Sequence, residues 1–261
     1  MRVLAIDWSG RVVGERRHIW IAEARDGELT RLEDGRTRPE IAAHLVELAA
    51  SDPELVVGID FSFSLPAWFL RERGLAAAPE LWALADEEGE RWLTDGAPPF
   101  WGLPGSTRPP LPEHFRQTES SIAAVGGIRP KSTFQISGAG SVGTGSVRGF
   151  PVLASLRDAG FSVWPFDDAR PPVVVEVWPR LLTGPVVKTN AGARAEYLDA
   201  RFPTLAPAAR DLAVGSDDAF DAAVAALVMS AHTDTLVGLQ ATDDPITRLE
   251  GTVWCPPERS A

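Results

Sequence analysis

The first sixty residues contain two short apolar runs with the pattern of buried strands. Residues 3–6 and 55–59 carry no polar side chain, and an aspartate follows each run, Asp7 and Asp60. Apolar runs of this length, bounded by turn residues, favour strands whose two faces are both covered. The pattern therefore predicts two buried strands, each with a carboxylate at its end.

Between these strands the period of the apolar positions changes twice. Residues 18–24 alternate, and residues 29–32 can pair with them across Asp26-Gly27, a dipeptide typical of hairpin turns. From Thr37 to residue 51, apolar residues recur at the spacing of an amphipathic helix. The predicted order is strand, hairpin, helix and strand.

The second half of the chain continues with helices and strands in alternation. Helices are predicted over residues 150–159, 194–201 and 217–232, the last of them Ala-rich and capped by Ser216, and strands over residues 161–165 and 173–177. The tail from residue 243 contains three prolines and favours an edge strand or coil.

Residues 66–149 differ from the rest in composition. Helical pieces are predicted around residues 67–73 and 79–92, and six prolines fall between residues 97 and 112. Four of the nine tryptophans lie in this part of the chain, where they either pack a loop or stack a substrate. We therefore predict one α/β domain over residues 1–261, with a mixed sheet, helices on both faces and an inserted segment at about residues 66–149.

Composition and charge narrow the class of protein. The chain of 261 residues has 44% hydrophobic residues and a net charge of −11, from 36 acidic and 25 basic side chains. This acidity argues against a protein that coats nucleic acid. The single cysteine, Cys255, excludes a disulfide framework and a cysteine zinc site. With no apolar run of 18 residues and no signal-like N-terminus, we expect a cytoplasmic protein with no membrane partner.

Five acidic residues fall where their charge needs a partner or a function: Asp7, Asp60, Glu176, Asp218 and Asp221. An ionised carboxylate at the end of a buried strand is costly to desolvate, and two on adjacent strands repel each other. Asp218 and Asp221 share one face of the last long helix. Acids in the first turns of a helix also stabilise its dipole, and for these two that is the simpler explanation.

The two predicted strands that end in Asp7 and Asp60 contain no lysine or arginine that would neutralise these acids. A set of oxygen ligands without histidine or cysteine favours Mg²⁺ or Mn²⁺ over zinc. A pair of such ions can hold a phosphodiester for attack by water. The acids therefore predict a metal-dependent site for phosphoryl chemistry.

Four short motifs, taken in their order and spacing, resemble a known family: AIDWSG at Asp7, GIDFSFSLP at Asp60, VVVEVWPR at Glu176 and DDAFDAAVAA from residue 217. Together they span nearly the whole chain, which resembles a bacterial and archaeal family of predicted ribonuclease H-like nucleases. The resemblance implies a ribonuclease H-like mixed sheet. It also implies a metal-binding acid on the first strand, one on the fourth strand and one or two on the last helix.

The resemblance assigns the acids their roles. Asp217 is an alternative to Asp218, because it lies at i, i+4 with Asp221. Glu176 lies one strand beyond the strands that carry the family's acids, and we include it as an additional metal ligand. The catalytic, metal-binding residues that the pattern implies are Asp7, which would bridge two ions, Asp60, Asp218 and Asp221.

A basic segment offers contacts for phosphate. Residues 120–157 contain four basic residues and no acid. Their Gly/Ser-rich part, residues 137–146, is either a flexible surface loop or a loop whose backbone N–H groups approach a phosphate. It matches neither the P-loop nor the dinucleotide-binding motif. The predicted substrate contacts are Arg129, Lys131, Arg148 and, in a possible ion pair with Glu119, Arg116.

These observations predict a Mg²⁺- or Mn²⁺-dependent phosphodiester hydrolase that acts on a phosphate-containing substrate, such as a short nucleic acid. Two alternatives stay open. One is an enzyme of another class, either an actin-like phosphotransferase or a hydrolase of a small phosphorylated molecule. The other is a non-catalytic binding module whose acids only cap helices and face solvent.

Overall fold

A computed structural model describes residues 1–257 and contains a six-stranded sheet in the order β3-β2-β1-β4-β6-β5. β2 pairs antiparallel with both of its neighbours, β1 and β3, whereas β4, β6 and β5 run parallel to β1. The predicted mixed α/β sheet is therefore confirmed. The strands are β1 (Arg2–Asp7), β2 (Trp20–Arg25), β3 (Glu28–Glu33), β4 (Leu55–Ile59), β5 (Ser162–Val163) and β6 (Val173–Glu176).

Eleven α-helices and one short 3-10 helix (Glu15–Arg17) lie within the described residues. Those up to the middle of the chain are α1 (Arg38–Ser51), α2 (Ala67–Glu72), α3 (Ala78–Asp95), α4 (Gln117–Ser121) and α5 (Gly143–Asp158). Those that follow are α6 (Pro179–Thr183), α7 (Ala191–Arg201), α8 (Pro207–Gly215), α9 (Asp217–Ser230), α10 (Thr233–Leu236) and α11 (Thr247–Glu250).

The helices cover both faces of the sheet, because alternate strand residues point to opposite sides. Leu4 and Ile6 of β1 belong to a core shared with α1, α3 and α5. Val3 and Ala5 belong to a second core shared with α9 and its neighbours. β1 and β4 are buried on both sides, as their apolar runs predict.

Short-range sequence signals determine one hairpin turn and the starts of two helices. Asp26 and Gly27 both have positive φ angles, 52° and 81°, as a tight hairpin turn between β2 and β3 requires. Thr37 and Glu40 form a reciprocal capping box at the start of α1. Ser216 accepts a hydrogen bond from the Ala219 N–H and caps α9. The predicted hairpin turn, the helix start at Thr37 and the Ser216 cap are confirmed.

The Gly/Ser-rich segment differs from its prediction. α5 begins at residue 143, seven residues before the predicted start, so Gly143 and Gly145 lie inside a helix, whereas Gly138 and Gly140 precede it. The lack of a side chain at the helical glycines allows close packing: a Cβ on Gly143 would lie 2.4 Å from the Thr133 carbonyl oxygen, and one on Gly149 would lie 2.4 Å from the Phe61 ring. Tertiary contact outweighs the low helix propensity of glycine here.

Other boundaries also shift. The strand predicted over residues 161–165 pairs only at Ser162–Val163. The tail predicted as edge strand or coil contains α11, and its Trp254 forms an isolated bridge with Val177 beside β6. Residues 258–261, which the single-domain prediction includes, lie outside the described residues.

The tryptophans of the segment around α2 and α3 serve packing. Trp82 is fully buried, and its indole N–H donates to the Phe63 carbonyl oxygen at 2.8 Å. The ring of Trp92 stacks on Phe100, with a centroid distance of 5.6 Å. These side chains extend the core that covers one face of the sheet. In residues 1–257, no helix combines the length and apolar character needed to cross a membrane.

One close contact joins the loop after β1 to the start of α5, and it can be tested at Gly10. A Cβ there would lie 2.5 Å from the Gly145 backbone nitrogen and 2.6 Å from the Thr144 carbonyl carbon. Because backbone atoms cannot rotate away, we expect Gly10→Ala to lower the free energy of unfolding by about 1–3 kcal/mol in urea titrations.

The matched control is Gly215→Ala at the end of α8, where a Cβ meets nothing within 4 Å. That change should leave the free energy of unfolding unchanged or slightly higher. Equal unfolding midpoints for the two variants would show that the loop after β1 is not held as the structure shows.

Candidate active site

Asp7 and Asp60 lie side by side at one edge of the sheet. Asp7 is the last residue of β1, and Asp60 directly follows β4. The two strands are parallel neighbours with Ile6 opposite Ile59, and the Asp60 N–H donates to the Ile6 carbonyl oxygen at 3.0 Å. Parallel pairing therefore places both carboxylates at the carboxyl ends of their strands, as predicted.

Helix α9 brings two more carboxylates to this edge. It packs across β1 and β2 and presents Asp218 and Asp221 from its first turns. Asp221 is 1% exposed, whereas Asp218 is half-buried and lies 3.7 Å from the His18 ring nitrogen Nδ1. Four of the predicted metal ligands are thus brought together, and we call Asp7, Asp60, Asp218 and Asp221 the carboxylate cluster.

The carboxylates of this cluster repel one another in a poorly hydrated place. Burial raises the pKa of Asp7 well above its ordinary value, and the charges of Asp60, Asp221 and then Asp218 raise it further. Burial and the charge of Asp221 raise the pKa of Asp60 to about 8. Asp218 thus acts on both strand aspartates, whereas Asp217 raises the pKa of its helix neighbours. This favours Asp218 over the alternative Asp217.

A lysine that the sequence analysis missed lies against the cluster. The Lys188 ammonium donates to Asp221 Oδ2. The positive charge of Lys188 lowers the pKa of Asp7 and Asp60. The negative charges of Asp221 and of these two aspartates raise the pKa of Lys188. The composition could have drawn attention to Lys188, because Lys188 and Lys131 are the only lysines among the 25 lysine and arginine residues of the chain.

One buried oxygen of the cluster has no protein partner. Asp221 Oδ1 is inaccessible to solvent and accepts no hydrogen bond, although Oδ2 binds Lys188. Within residues 1–257, no three or more histidine, cysteine, aspartate or glutamate side chains stand in a group that could hold a metal ion. The side chains therefore do not form a finished metal cage.

Glu176 takes part in a different arrangement. It ends β6, and the guanidinium of Arg116 binds both of its carboxylate oxygens, with Nη1 2.9 Å from Oε2. Arg116 also binds Glu119 through Nε at 2.9 Å, which confirms that predicted ion pair. The Phe63 N–H donates to Glu176 Oε2 at 2.9 Å.

The structure gives Arg116 and Glu176 roles that differ from the predicted ones. Arg116 is fully buried, so its guanidinium cannot contact a substrate. Glu176 lines the same cavity as Asp60 and its charge raises the pKa of Asp60, but both of its oxygens are bound by Arg116, so it is not kept in the metal site. The Arg116 guanidinium also donates to the Glu250 carbonyl oxygen at 2.8 Å. The Glu250 carboxylate accepts from the Ala67 N–H at 2.7 Å. This buried ionic group ties α11 to the loops around the cluster.

A cavity of about 570 Å³ opens beside Asp60. Its wall includes Arg11, Lys131, the glycine-rich turn 138–141 and the first residues of α5. Arg148 also lines it, but that guanidinium binds Glu90 at 2.6 Å and the Gly10 carbonyl oxygen. Of the basic residues predicted to contact substrate, Lys131 thus lies at the cavity with an exposed side chain, and Arg148 lies there in an ion pair.

Arg129 is exposed and does not line the cavity, so the structure does not place it at the site.

No family model, no curated protein and no solved structure matched this chain. The chemistry of the site therefore has to be argued from its own side chains.

The buried ionic group can be tested by removing its cation. Arg116→Met leaves Glu119 and Glu176 buried without a counter-charge, so we expect the free energy of unfolding at pH 8 to fall by about 3–5 kcal/mol. The loss should shrink at pH 5, because unpaired buried glutamates have raised pKa values and the folded state then binds protons that the unfolded state releases.

The control for this variant is Arg157→Met, whose partner Asp167 lies 2.8 Å away in an exposed pair. Its loss should cost about 0–1 kcal/mol. Urea unfolding at both pH values measures the two variants, and a loss in Arg116→Met that does not depend on pH would contradict the charge argument.

Repulsion within the carboxylate cluster predicts that Asp60→Asn stabilises the protein when EDTA removes divalent ions. The folded-state pKa of Asp60, about 8, lies above the ordinary value of 3.8, so wild type loses stability as pH rises between these values. The gain from Asp60→Asn should therefore be largest at pH 9 and smaller at pH 5. Thermal unfolding at the two pH values measures it. Asp34→Asn, at an exposed aspartate, is the control and should show no such gain.

Proposed function

We propose that the protein is a metal-dependent phosphodiester hydrolase with a ribonuclease H-like fold. The observation that carries the proposal is the convergence of Asp7, Asp60 and Asp221 at one sheet edge, beside a cavity lined by cations. These acids come from the first strand, the end of the fourth strand and the last long helix. Those are the positions that the family resemblance implies.

The chemistry of the cluster fits a hard divalent cation. Its donors are carboxylate oxygens, which Mg²⁺ and Mn²⁺ prefer. Four carboxylates face one lysine, and the buried Asp221 Oδ1 lacks a partner. A buried carboxylate oxygen is normally hydrogen-bonded or bound to a metal. Asp7, Asp60 and Asp221 would hold the ion, and Asp218 lies at the more exposed side.

When bound, a divalent ion supplies a Lewis acid for a phosphoryl oxygen and lowers the pKa of a water molecule. The chain's own side chains supply the rest. Asp218, half-buried and 3.7 Å from His18 Nδ1, would accept a proton at the entrance of the cluster. The backbones that carry the carboxylates are fixed by β1, β4 and α9, but the side chains do not stand as a finished cage, so they would have to rearrange to bind the ion.

The cavity beside Asp60 supplies the binding groups for the substrate. Lys131 and Arg11 line it without an ion pair to any other described residue, and cations of this kind bind phosphate. The start of α5 also lies in its wall, where backbone N–H groups favour anions. Trp8 and Trp178 add apolar surface for the organic part of a substrate.

A hydrolase of a small phosphorylated molecule is the second candidate, and the cavity favours it. A volume of about 570 Å³ is that of a site for a small ligand. Such an enzyme would use the same carboxylates and the same cations. A short end of a nucleic acid and a small phosphate ester therefore belong in one substrate panel. A cytoplasmic location is part of the proposal, since the one cysteine is exposed and unpaired.

The proposal predicts that Asp7→Asn abolishes Mn²⁺ binding in calorimetry and lowers the rate of hydrolysis by at least about 100-fold, since metal catalysis supplies several kcal/mol. The panel should contain short single-stranded DNA and RNA, mononucleotides and bis(p-nitrophenyl) phosphate, each with Mg²⁺ or Mn²⁺. The ester that is cleaved fastest identifies the substrate class.

Asp86→Asn, at an exposed aspartate of α3, is the control and should bind Mn²⁺ and hydrolyse as wild type does. If wild type binds no Mn²⁺ and cleaves nothing faster than Asp7→Asn does, the hydrolase proposal fails. Binding of a nucleotide without hydrolysis would support the binding-module or phosphotransferase alternatives instead.

A further inference from the structure

Trp178 differs in its packing from the other eight tryptophans of the chain. Among residues 1–257, each of those eight lies in one of the two hydrophobic cores or packs against one, whereas Trp178 belongs to neither. An indole is a large apolar side chain and normally stabilises a fold through its burial in a core. The place of Trp178 therefore has to be explained by something other than core packing.

The backbone of Trp178 is held at the edge of the sheet. It follows Val177, whose N–H donates to the Ile59 carbonyl oxygen at 3.1 Å and which forms a bridge with Trp254. The Trp178 carbonyl oxygen accepts from the Leu181 N–H at 2.9 Å, where α6 begins. The half-buried indole is thus attached to a fixed point, next to the ends of β4 and β6.

The indole lines the cavity of about 570 Å³ that also borders Asp60. The same wall contains two cations, Lys131 and Arg11, and three serines, which are Ser62, Ser137 and Ser141. A pure hydrocarbon ligand would displace water from the serine hydroxyl groups and leave them without partners. A ligand with a planar apolar face and polar edges suits both the indole and the hydroxyl groups.

A nucleobase has these properties. Its face stacks on aromatic side chains, and its edges carry hydrogen-bond donors and acceptors. Gly138 and Gly140 lie in the cavity wall and present no side chain that would obstruct a flat ring. A phosphate on the same nucleoside would meet Lys131 and Arg11. The volume of the cavity is that of a site for one small ligand.

We propose that Trp178 stacks on the base of a nucleotide, so that the cavity binds phosphate esters that carry a planar heteroaromatic ring. The proposal rests on the proposed hydrolase function and deepens it, because it names the class of ester that would lie beside Asp60. The ring belongs either to a free mononucleotide or to the end of a single strand, since both offer the same chemistry.

Calorimetry with adenosine 5′-monophosphate (AMP) and ribose 5-phosphate tests the proposal on the full-length protein. The two probes share the ribose and the phosphate, and only AMP has a base. We expect wild type to bind AMP about 5- to 100-fold more tightly than ribose 5-phosphate, the range for stacking of one base on an aromatic side chain. The titrations are run in EDTA and again with Mg²⁺, because stacking requires no ion.

Substitutions of Trp178 show whether the preference for AMP comes from stacking. Trp178→Leu keeps an apolar side chain without an aromatic face and should bind the two probes with equal affinity, whereas Trp178→Phe should retain part of the preference. If circular dichroism shows that Trp178→Leu does not fold, Trp178→Gln replaces it. The matched control is Trp164→Leu, at a half-buried tryptophan outside the cavity wall, which should keep the wild-type preference.

A single-stranded deoxyadenosine tetranucleotide with a 5′-phosphate distinguishes the two sources of the base. If the ligand is a free nucleotide, AMP should bind at least as tightly as the tetranucleotide. If the ligand is the end of a strand, the tetranucleotide should bind more tightly. In both cases Trp178→Leu should weaken binding of the better ligand.

The outcomes separate the two proposals. Equal affinities of wild type for AMP and ribose 5-phosphate, binding of neither probe, or a full preference for AMP in folded Trp178→Leu would overturn the role of Trp178 and leave the metal-dependent hydrolase standing. A preference for AMP that depends on Trp178 in EDTA, together with no Mn²⁺ binding and no hydrolysis, would instead contradict the hydrolase and leave the nucleotide site in place.

Discussion

Repulsion between carboxylates at the ends of β1 and β4 is the constraint that shapes one edge of this protein. Parallel pairing fixes Asp7 beside Asp60, and α9 adds Asp221 in a place that water hardly reaches. Neither strand residue can move away without breaking the sheet. A bound proton or a positive charge relieves this repulsion, and a separate segment, held by Arg180 and Arg194, carries Lys188 to this edge.

A second buried ionic group, around Arg116, obeys the same physics with the opposite result. The guanidinium binds two glutamates, and the Phe63 N–H donates to Oε2 of Glu176. Both oxygens of Glu176 therefore have partners, and such a hydrogen-bonded group stabilises the fold. In the carboxylate cluster, Asp221 Oδ1 has no partner and like charges face each other. The two groups of buried acids thus differ in how fully their polar atoms are hydrogen-bonded.

Features that depend on neighbouring residues could be predicted from the sequence, and features that depend on distant ones could not. The hairpin turn at Asp26-Gly27 and the helix start at Thr37 follow from local backbone chemistry. Strand-end acids could be recognised because an apolar run that ends in a charge is conspicuous. Lys188 meets a residue 33 positions away, and Arg116 meets one 60 positions away. Glycine packing likewise extends α5 against its own propensity, and no local pattern reveals such contacts.

For the proposed phosphodiester hydrolase, the distribution of charge limits the kind of substrate that this edge would hold. Three basic residues line the cavity, but Arg148 is neutralised by Glu90, so Arg11 and Lys131 are left to meet phosphate. Duplex nucleic acid requires many such contacts, because each neutralised phosphate contributes a small increment of affinity. Two cations beside a carboxylate site suit one or two phosphate groups. An acidic protein can therefore recognise a phosphate ester locally while its overall charge of −11 repels long polyanions.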